Sequence, residues 1–559
     1  MDECAHLASG LIGLRTHTAF SYRVNPPLTR MLAAVPHAAA IDCPLTNGID
    51  GDPYRTEFIA GNELAEQRGR QIFTDLWVSR CMMLPFGLLS MLLVYHWATQ
   101  LHDHGTGVLA MALLAFNPMF IGWAATITPD VPAAATGLLA SYCFCRWMRS
   151  GSPRATAAVA ASLGLALLTK SVWLILPVIW ILVTLVSGIA HRWSWREWRE
   201  RMISLLWVFF VAFLVLNVAY GFHGSGTRLR DVPLQSGFVR TFRDELSSWI
   251  PVTKNCPIGL PLDFVIGLDV QKLDFEQGEP SFVAGQRREI GVWWFYGYLW
   301  LIKMPEPLLA VIALSLLLFL WKPSRLGERG ACVVLIPTIV LLGILLCSQN
   351  GLSQHGRYSL SLLPLGIVAL SGTLAKLSSI RWLRWGLIVT SVAIALNATP
   401  NMTSYYNWLS GGSLSGHRHL LGADTDWGQD YLLLEDWKHE NLDRGTLHCW
   451  LHGSVQVGRY QSEQRGIFPI PGRPLDPRTL TPGWYAIGVN ALHGFERESN
   501  VGRFFATQNP AERIGNTIVV YCLKSTVNLR GRGSSALFPD GNPETRPQSS
   551  PRQDVDRLN

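Results

Sequence analysis

The sequence predicts a mainly α-helical, polytopic membrane bundle with a small α+β domain outside the membrane. Three observations predict it. Apolar residues make up 49% of 559 and arrive in blocks, several long enough to cross a hydrocarbon core as helix. Charged residues are only 16%, against about 25% in soluble proteins. Lys and Arg recur in alternate short loops, the pattern of cytoplasmic loops. Mean hydropathy is only +0.20 because the apolar blocks are averaged with long polar stretches. The net charge of +7, from 47 Lys+Arg against 40 Asp+Glu, is too mild to imply a nucleic-acid partner. The balance also excludes a disordered chain and a small disulfide scaffold.

In chain order, residues 1–80 come first and fall on the external side. They hold an apolar, amphipathic stretch around Leu28–Ala40 that is expected to lie in the interface plane. No span precedes them, so a first helix upstream of Met1 is expected. Ten blocks then read as spans between 81 and 398: 81–98, 106–125, 131–148, 155–170, 173–190, 203–220, 305–321, 331–348, 358–375 and 383–398. If they alternate, four basic groups share the cytoplasmic face: Arg146, Arg149 and Arg154; Arg192, Arg196, Arg199 and Arg201; Lys322, Arg325 and Arg329; Lys376, Arg381 and Arg384. The external face then receives the turn Thr126–Asp130, the loop 221–304 and everything after 399. Val292–Trp300, rich in Trp and Tyr, reads as an interfacial belt ahead of a span.

Residues 399–525 read as a compact α+β unit. Tyr431–Glu440 is expected to be helix; Thr446–Leu451, Gly483–Val489 and Thr517–Leu523 are expected to be strands. Residues 526–559, rich in Arg, Pro, Ser and Gly, read as a disordered tail. Cys449 and Cys522 lie on two of those strands and are candidates for a disulfide in an oxidising compartment. No Walker loop, GxGxxG or HExxH occurs, so nucleotide hydrolysis, a dinucleotide and a zinc protease have no support.

Chemistry concentrates at the external rim. Asp2, Glu3 and His6 begin the chain. Asp130 stands at a helix junction, where it is either a cap or a second acid. Lys170 sits between two spans, as a binding cation or a snorkelling surface lysine. Charges at such depth are costly unless paired or facing water. Acids and a cation near one membrane face predict a polar cavity for an anionic lipid headgroup.

These residues belong to motifs that, in order, resemble the bacterial relatives of the protein O-mannosyltransferases, membrane glycosyltransferases of the C superfamily. Asp2-Glu3-x-x-His6 looks like their acidic motif, and Asn25-Pro26-Pro27-Leu28 like the element that follows. Asn117-Pro118 with Thr128-Pro129-Asp130 resembles the segment ending in their second acid. Gly164–Lys170 is similar to their Gly-x-x-x-x-x-Lys hairpin. Phe264–Asp269 and Lys303-Met304-Pro305 look like their long external loop and its close. His355-Gly356-Arg357-Tyr358 with Leu363-Pro364 resembles a late helix opening. Tyr406-Asn407, Gly411-Gly412 and Asp426–Asp430 resemble a bacterial subgroup with an external domain.

The resemblance implies a C-superfamily fold in a bacterial inner membrane, with the active site and C-terminal domain on the external, periplasmic face. It implies a polyprenyl-phosphate-linked sugar donor, a protein, glycan or lipid acceptor, and inversion by a single displacement. Asp2 would be the general base, with Glu3 orienting the acceptor or sharing that role. Asp130 would position the first-loop helices or a donor hydroxyl, and His6 would bond either acid. Lys170 and Arg357, with Arg287 and Arg288 behind them, would stabilise the departing phosphate; for Arg357 a flanking topogenic charge is the other reading. Asp426 and Gln429 are assigned to substrate binding, their motif either capping a helix with Gly428 at a turn or gating the acceptor. No cofactor is assigned, and a divalent cation stays open. Two rivals from other classes are a transporter or lipid flippase and a catalytically inactive scaffold.

Overall fold

A computed structural model describes residues 2–41, 56–321, 332–348, 351, 354–441, 444, 447–451, 479–495 and 500–529. The chain opens on α1 (Asp2–Thr16), built from small residues and buried along most of its length. After Pro26-Pro27 comes α2 (Leu28–Ala34), then a 3-10 turn at Val35–His37. Arg30 is buried, and its guanidinium donates to the carbonyls of Asn25 (2.5 Å) and Ala19 (3.5 Å), tying down the loop before α2. α3 (Glu57–Arg68) crosses α1 so closely that a methyl at Gly61 would sit 2.6 Å from the Ala5 nitrogen. Leu7, Leu11, Ala33, Leu64 and Leu76 form a separate core here.

α4 (Gln71–Cys81) runs almost continuously into α5 (Leu84–Leu101). α6 (His104–Ala115) and α7 (Pro118–Ala124) are bent by 66°. The bend is encoded locally: the Asn117 side chain caps α7 by accepting from the Phe120 N–H, and Pro118 takes the first helical position. α8 (Asp130–Ser150) and α9 (Pro153–Thr169) form an antiparallel pair turned at Gly151, whose φ is +60°. α10 (Ile175–Ala190) and α11 (Trp195–Ala219) follow, the latter started by a Ser194/Glu197 capping box.

The long loop after α11 carries α12 (Gly237–Trp249), α13 (Leu262–Gln277), a hairpin of β1 (Ser281–Val283) and β2 (Gln286–Arg288), and α14 (Phe295–Lys303). α13 is pinned to the first loop by an Arg23–Asp263 ion pair of 2.8 Å and by Gln271 donating to the Val24 carbonyl at 3.1 Å. α15 (Glu306–Trp321), α16 (Cys332–Ser348), α17 (Leu362–Ala369), α18 (Ser371–Ser378) and α19 (Arg381–Ala398) complete the bundle.

Large aromatics, among them Trp97, Trp123, Trp147, Trp173 and Trp180, fill the bundle core. Leu88, Leu92, Val186, Ile189, Leu206, Phe210, Leu317 and Val389 are exposed on its periphery. An apolar inside with an apolar outside is what a lipid-facing bundle requires. Among the described residues, three helices are long and apolar enough to cross a membrane (71–101, 171–190 and 195–219), or up to five if each bent pair is one span. α9, α15 and α16 are apolar but shorter, so the count of ten crossings remains a proposal. The expected block 358–375 is divided into a 3-10 turn at Gly356–Ser359, α17 and α18. Lys322, Arg325 and Arg329 lie outside the described residues.

Past α19, a run of 3-10 turns between 402 and 424 leads to α20 (Tyr431–Glu440), on the predicted residues. The sheet has the order β3-β5-β7-β6, from β3 (Leu447–Trp450), β5 (Gly483–Gly488), β6 (Glu512–Ile514) and β7 (Ile518–Leu523); β3 and β5 are parallel, the other pairs antiparallel. Alternate residues face two cores, Tyr485, Ile487, Val519 and Tyr521 on one side, Leu447, Ala486 and Val520 on the other. Short β6 was not anticipated, because Glu512-Arg513-Ile514 carries no strand alternation of its own.

Two expectations are corrected. Cys449 pairs in register with Ala486 and Cys522 with Trp484, so β5 separates the two cysteines and both are free thiols. Two strand spacings are about 9.5 Å, beyond disulfide reach. Val527–Asn528, within the stretch read as disordered tail, forms a strand (β8) paired with β4 (Thr479–Leu480), so the fold extends at least to Leu529. Residues 530–559 lie outside the described residues.

Candidate functional site

Four segments distant in sequence meet at one end of the bundle. Asp2 starts α1, Asp130 is the first residue of α8, Lys170 follows α9, and Arg357 lies in the 3-10 turn before α17. Lys170 Nζ is 2.6 Å from Asp130 Oδ1 and stands 4.9 Å over the Tyr358 ring. Arg357 donates to Asp2 Oδ2 at 3.1 Å, and its Nε lies 3.9 Å from Asp130 Oδ2. Three rings surround its guanidinium: Trp427 at 4.5 Å, Trp123 at 5.4 Å and Tyr358 at 5.5 Å. Two carboxylates and two cations thus neutralise one another in a buried, aromatic setting, where each charge needs its partner.

Helix geometry accounts for the placement. α8 and α9 are antiparallel, so Asp130 and Lys170 share one end while Arg146–Arg154 occupy the other, about 30 Å away at 1.5 Å per residue. Arg357 precedes α17, and Lys376 falls at the far end of α18. Asp130 is not the N-cap; Pro129 holds that position, and the Asp130 carboxylate faces Lys170 instead. Lys170, 15% exposed along its side chain, does not snorkel to the surface. Arg357 is buried rather than a surface topogenic charge.

Glu3 looks elsewhere. Successive helical residues diverge by about 100°, so it turns from Asp2 towards α4. Arg80 grips it with two bonds, Nε to Oε1 at 2.9 Å and Nη2 to Oε2 at 2.5 Å, and the Ile127 N–H donates to Oε1 at 2.9 Å. Burial works against the Glu3 carboxylate, but Arg80 outweighs it and holds the group below its usual range. For Asp2 burial is likewise the largest influence and opposes ionisation, yet Arg357 and His6 help bring it down to about 2.

His6 is buried and packs tilted against Tyr22 with ring centroids 4.8 Å apart. Burial pushes its imidazole down to about 4. Between the ordinary imidazole range near 6.5 and pH 4, the unfolded chain therefore binds a proton that the folded chain refuses. Stability is expected to fall as pH drops through that window, by roughly 3 kcal/mol at about 1.4 kcal/mol per unit. Melting in detergent from pH 7 to 4.5 checks this: His6→Phe, which keeps a ring on Tyr22, should flatten the fall. An unchanged slope would reject it. The Asp2 contribution is lost only at lower pH, between about 4 and 2.

A second buried group supports Arg357 from behind. Asp424 accepts the Gly356 N–H with both oxygens, at 2.9 and 3.0 Å. Lys303, fully buried, donates to the carbonyls of Thr403 (2.9 Å) and Asp424 and stands 4.6 Å over the Tyr406 ring. Burial lowers Lys303 to about 8, against the charge of Asp424; it raises the Asp424 carboxyl, against Lys303. Sequence reasoning missed Asp424 and Arg80, and Trp427 stood inside the Asp426–Asp430 motif without a role. Lys303 and Tyr358 stood inside quoted motifs without a role.

The remaining predicted residues are placed as follows. Asp426 Oδ1 accepts the Gly428 N–H at 2.9 Å, and Gln429 accepts the Trp427 N–H at 2.7 Å while donating to the Thr425 carbonyl at 3.0 Å. Arg287 and Arg288 lie on β2, bonded to Glu289 (2.8 Å) and Gln286 (3.0 Å); among the described residues no ion pair joins them to the cluster. Nor does any group of three His, Cys, Asp or Glu side chains among these residues stand ready to hold a metal ion. Asp2 and Asp130 face Arg357 and Lys170, so this donor set does not fit a divalent cation.

Residues 71–220 match the model of the dolichyl-phosphate-mannose-protein mannosyltransferase family. That segment contains Arg80, Asp130 and Lys170, and the match agrees with the resemblance carried by the motifs. No curated protein sequence matches the chain. Among solved structures the chain is similar to ArnT from Cupriavidus metallidurans bound to undecaprenyl phosphate, at 12% identity over 93% of both chains with a TM-score of 0.42. It is also similar to the archaeal oligosaccharyltransferase AglB from Archaeoglobus fulgidus in complex with an inhibitory peptide and a dolichol-phosphate. There the identity is 12%, the coverage 87% of this chain and 65% of that one, and the TM-score 0.39.

Proposed function

We propose that this chain is an integral-membrane glycosyltransferase. It moves a sugar from a polyprenyl-phosphate donor to an acceptor hydroxyl on the external face, with inversion at the anomeric carbon. The observation that carries this reading is the Asp2–Arg357–Asp130–Lys170 cluster, two acids and two cations drawn to one end of the bundle by four segments. The family match over residues 71–220 supports it.

Phosphate is already a leaving group on such a donor, so no nucleotide site is needed. An acceptor hydroxyl must lose its proton as it attacks, and Asp2, ionised throughout the physiological range, is the acceptor for that proton. Paired with Arg357 it is a weak base. A donor phosphate that draws Arg357 towards itself frees Asp2 at the moment a base is required. Arg357 and Lys170 then stabilise charge on the departing phosphate. Glu3, locked by Arg80, fixes the start of α1 and hence the aim of Asp2. A transporter would carry such groups near the bilayer midplane; here they stand at helix ends.

The test is turnover by the purified full chain in liposomes, with radiolabelled sugars on undecaprenyl or dolichyl phosphate and a panel of peptide, glycan and lipid acceptors. Labelled product with release of free polyprenyl phosphate is expected, mannose being the first sugar to try. No release with any donor overturns the reading. Uptake of the lipid without transfer would favour a transporter.

A further inference from the structure

Trp427 is the one residue of the Asp426–Asp430 motif whose ring reaches the cluster. It stands 4.5 Å from the Arg357 guanidinium and edge-on to Trp123, with centroids 5.3 Å apart. The rest of the motif aims it. Gly428 takes a φ of +81° that only glycine adopts readily, Asp426 accepts its N–H, and Gln429 accepts the N–H of Trp427. Asn490 donates to the Asp426 carbonyl at 3.3 Å, and Asp430 accepts the Asn516 and Thr517 N–H groups at 2.7 and 2.8 Å. The turn is thereby held to the C-terminal sheet.

Two donors at this spot have no acceptor among the described residues. Indole Nε1 of Trp427 and Nε of Arg357 are both buried without a hydrogen-bond partner, in a guanidinium nine-tenths buried. A buried donor without an acceptor forfeits its hydration, and native structures seldom leave such groups unpaired. Asp130 lies 3.9 Å from Arg357 Nε and is already neutralised by Lys170 at 2.6 Å, while Asp2 accepts from Nη2 instead. Both donors want an oxygen with free lone pairs.

We propose that Trp427 is a donor-binding residue: its indole N–H and Arg357 Nε together bind an oxygen of the phosphate of the lipid carrier. The C-terminal domain thus contributes directly to the donor site, and the Asp426–Asp430 motif exists to present this indole. The proposal rests on the glycosyltransferase reading above. Asp426 and Gln429 become positioning residues rather than substrate contacts.

The experiment is equilibrium binding of undecaprenyl phosphate to the full chain in detergent, with undecaprenol and inorganic phosphate as parallel probes. Trp427→Phe keeps a ring on Arg357 and removes the N–H. Loss of a hydrogen bond to a charged oxygen should weaken undecaprenyl phosphate binding about tenfold or more, leave undecaprenol unaffected and leave the melting temperature near wild type. Trp427→Leu, which also removes the ring, should weaken it further. Equal binding by wild type and Trp427→Phe overturns the proposal and leaves the glycosyltransferase reading standing. Failure of wild type to bind undecaprenyl phosphate at all overturns that reading itself. Binding of inorganic phosphate as tight as the lipid would assign the site to free phosphate and overturn the carrier. If Trp427→Phe does not fold, benzothienylalanine at 427 keeps the bicyclic shape without the N–H and gives the same comparison.

Discussion

Replacing Asp2 with Asn is expected to slow sugar transfer by about 10²- to 10⁴-fold, the usual contribution of a positioned general base. Asn has the same shape and still offers an oxygen to the Arg357 guanidinium, which now donates to Asp2 at 3.1 Å. What it lacks is the capacity to take a proton. The loss should therefore appear in kcat. KM should not rise, because Arg357 is no longer half-neutralised by a carboxylate and binds a phosphate at least as well. Melting should shift by no more than a few degrees, since the Asn amide keeps an acceptor for Arg357, whose Nε still has Asp130 at 3.9 Å. A rate within a few-fold of wild type, in a chain that still binds undecaprenyl phosphate, would reject Asp2 as the base.

The largest effect on stability is expected at Lys303. Lys303→Met fits the same volume but removes the donor to the Thr403 and Asp424 carbonyls and the cation over Tyr406. It leaves the Asp424 carboxylate buried with the Gly356 N–H and the more distant Arg357 charge to favour it, among the described residues. Leaving those two buried carbonyls without their donor costs about 1–3 kcal/mol each, and the nearby Asp424 carboxylate loses a favourable charge as well. Removing both charges should cost less, because neither desolvation penalty then remains. Lys303→Met with Asp424→Asn, which keeps an acceptor for Gly356, should recover much of the lost stability. Thermal unfolding in detergent across this double-mutant cycle reads the coupling. Additive losses would show that the two groups are independent and that Gly356 is held by something else. Gly356 is the residue before Arg357, so the single variant should also loosen donor binding.

Much of the fold was legible in the chain because membrane helices and small sheets announce themselves locally. Apolar blocks give the helices, and Asn117-Pro118 and Ser194/Glu197 mark their starts with side-chain caps. β-Branched and aromatic content marks β5 and β7 within a residue, and Tyr431–Glu440 is helix from end to end. The disulfide expectation failed for want of strand order: nothing in either cysteine's neighbourhood says that Gly483–Gly488 runs between them. The helix Ser371–Ser378 and its break from Leu362–Ala369 were equally invisible, since both halves are apolar enough to read as one block.

The candidate site divides the same way. Residue type and the expected placement at one membrane face pointed to Asp2, Asp130, Lys170 and Arg357, because a charge at a membrane rim is costly enough to need a reason. The sequence by itself determined that these groups lie at one end of the bundle, through span length and the alternation of basic loops. Only the tertiary structure decided who faces whom. Glu3, adjacent to Asp2 in the chain, turns about 100° away to Arg80, 77 residues on. Arg357 reaches back 355 residues to Asp2 and is boxed by an indole from beyond residue 400. Pairings of that kind are set by how helices and the C-terminal sheet pack, and packing partners leave no mark on the local pattern of either segment.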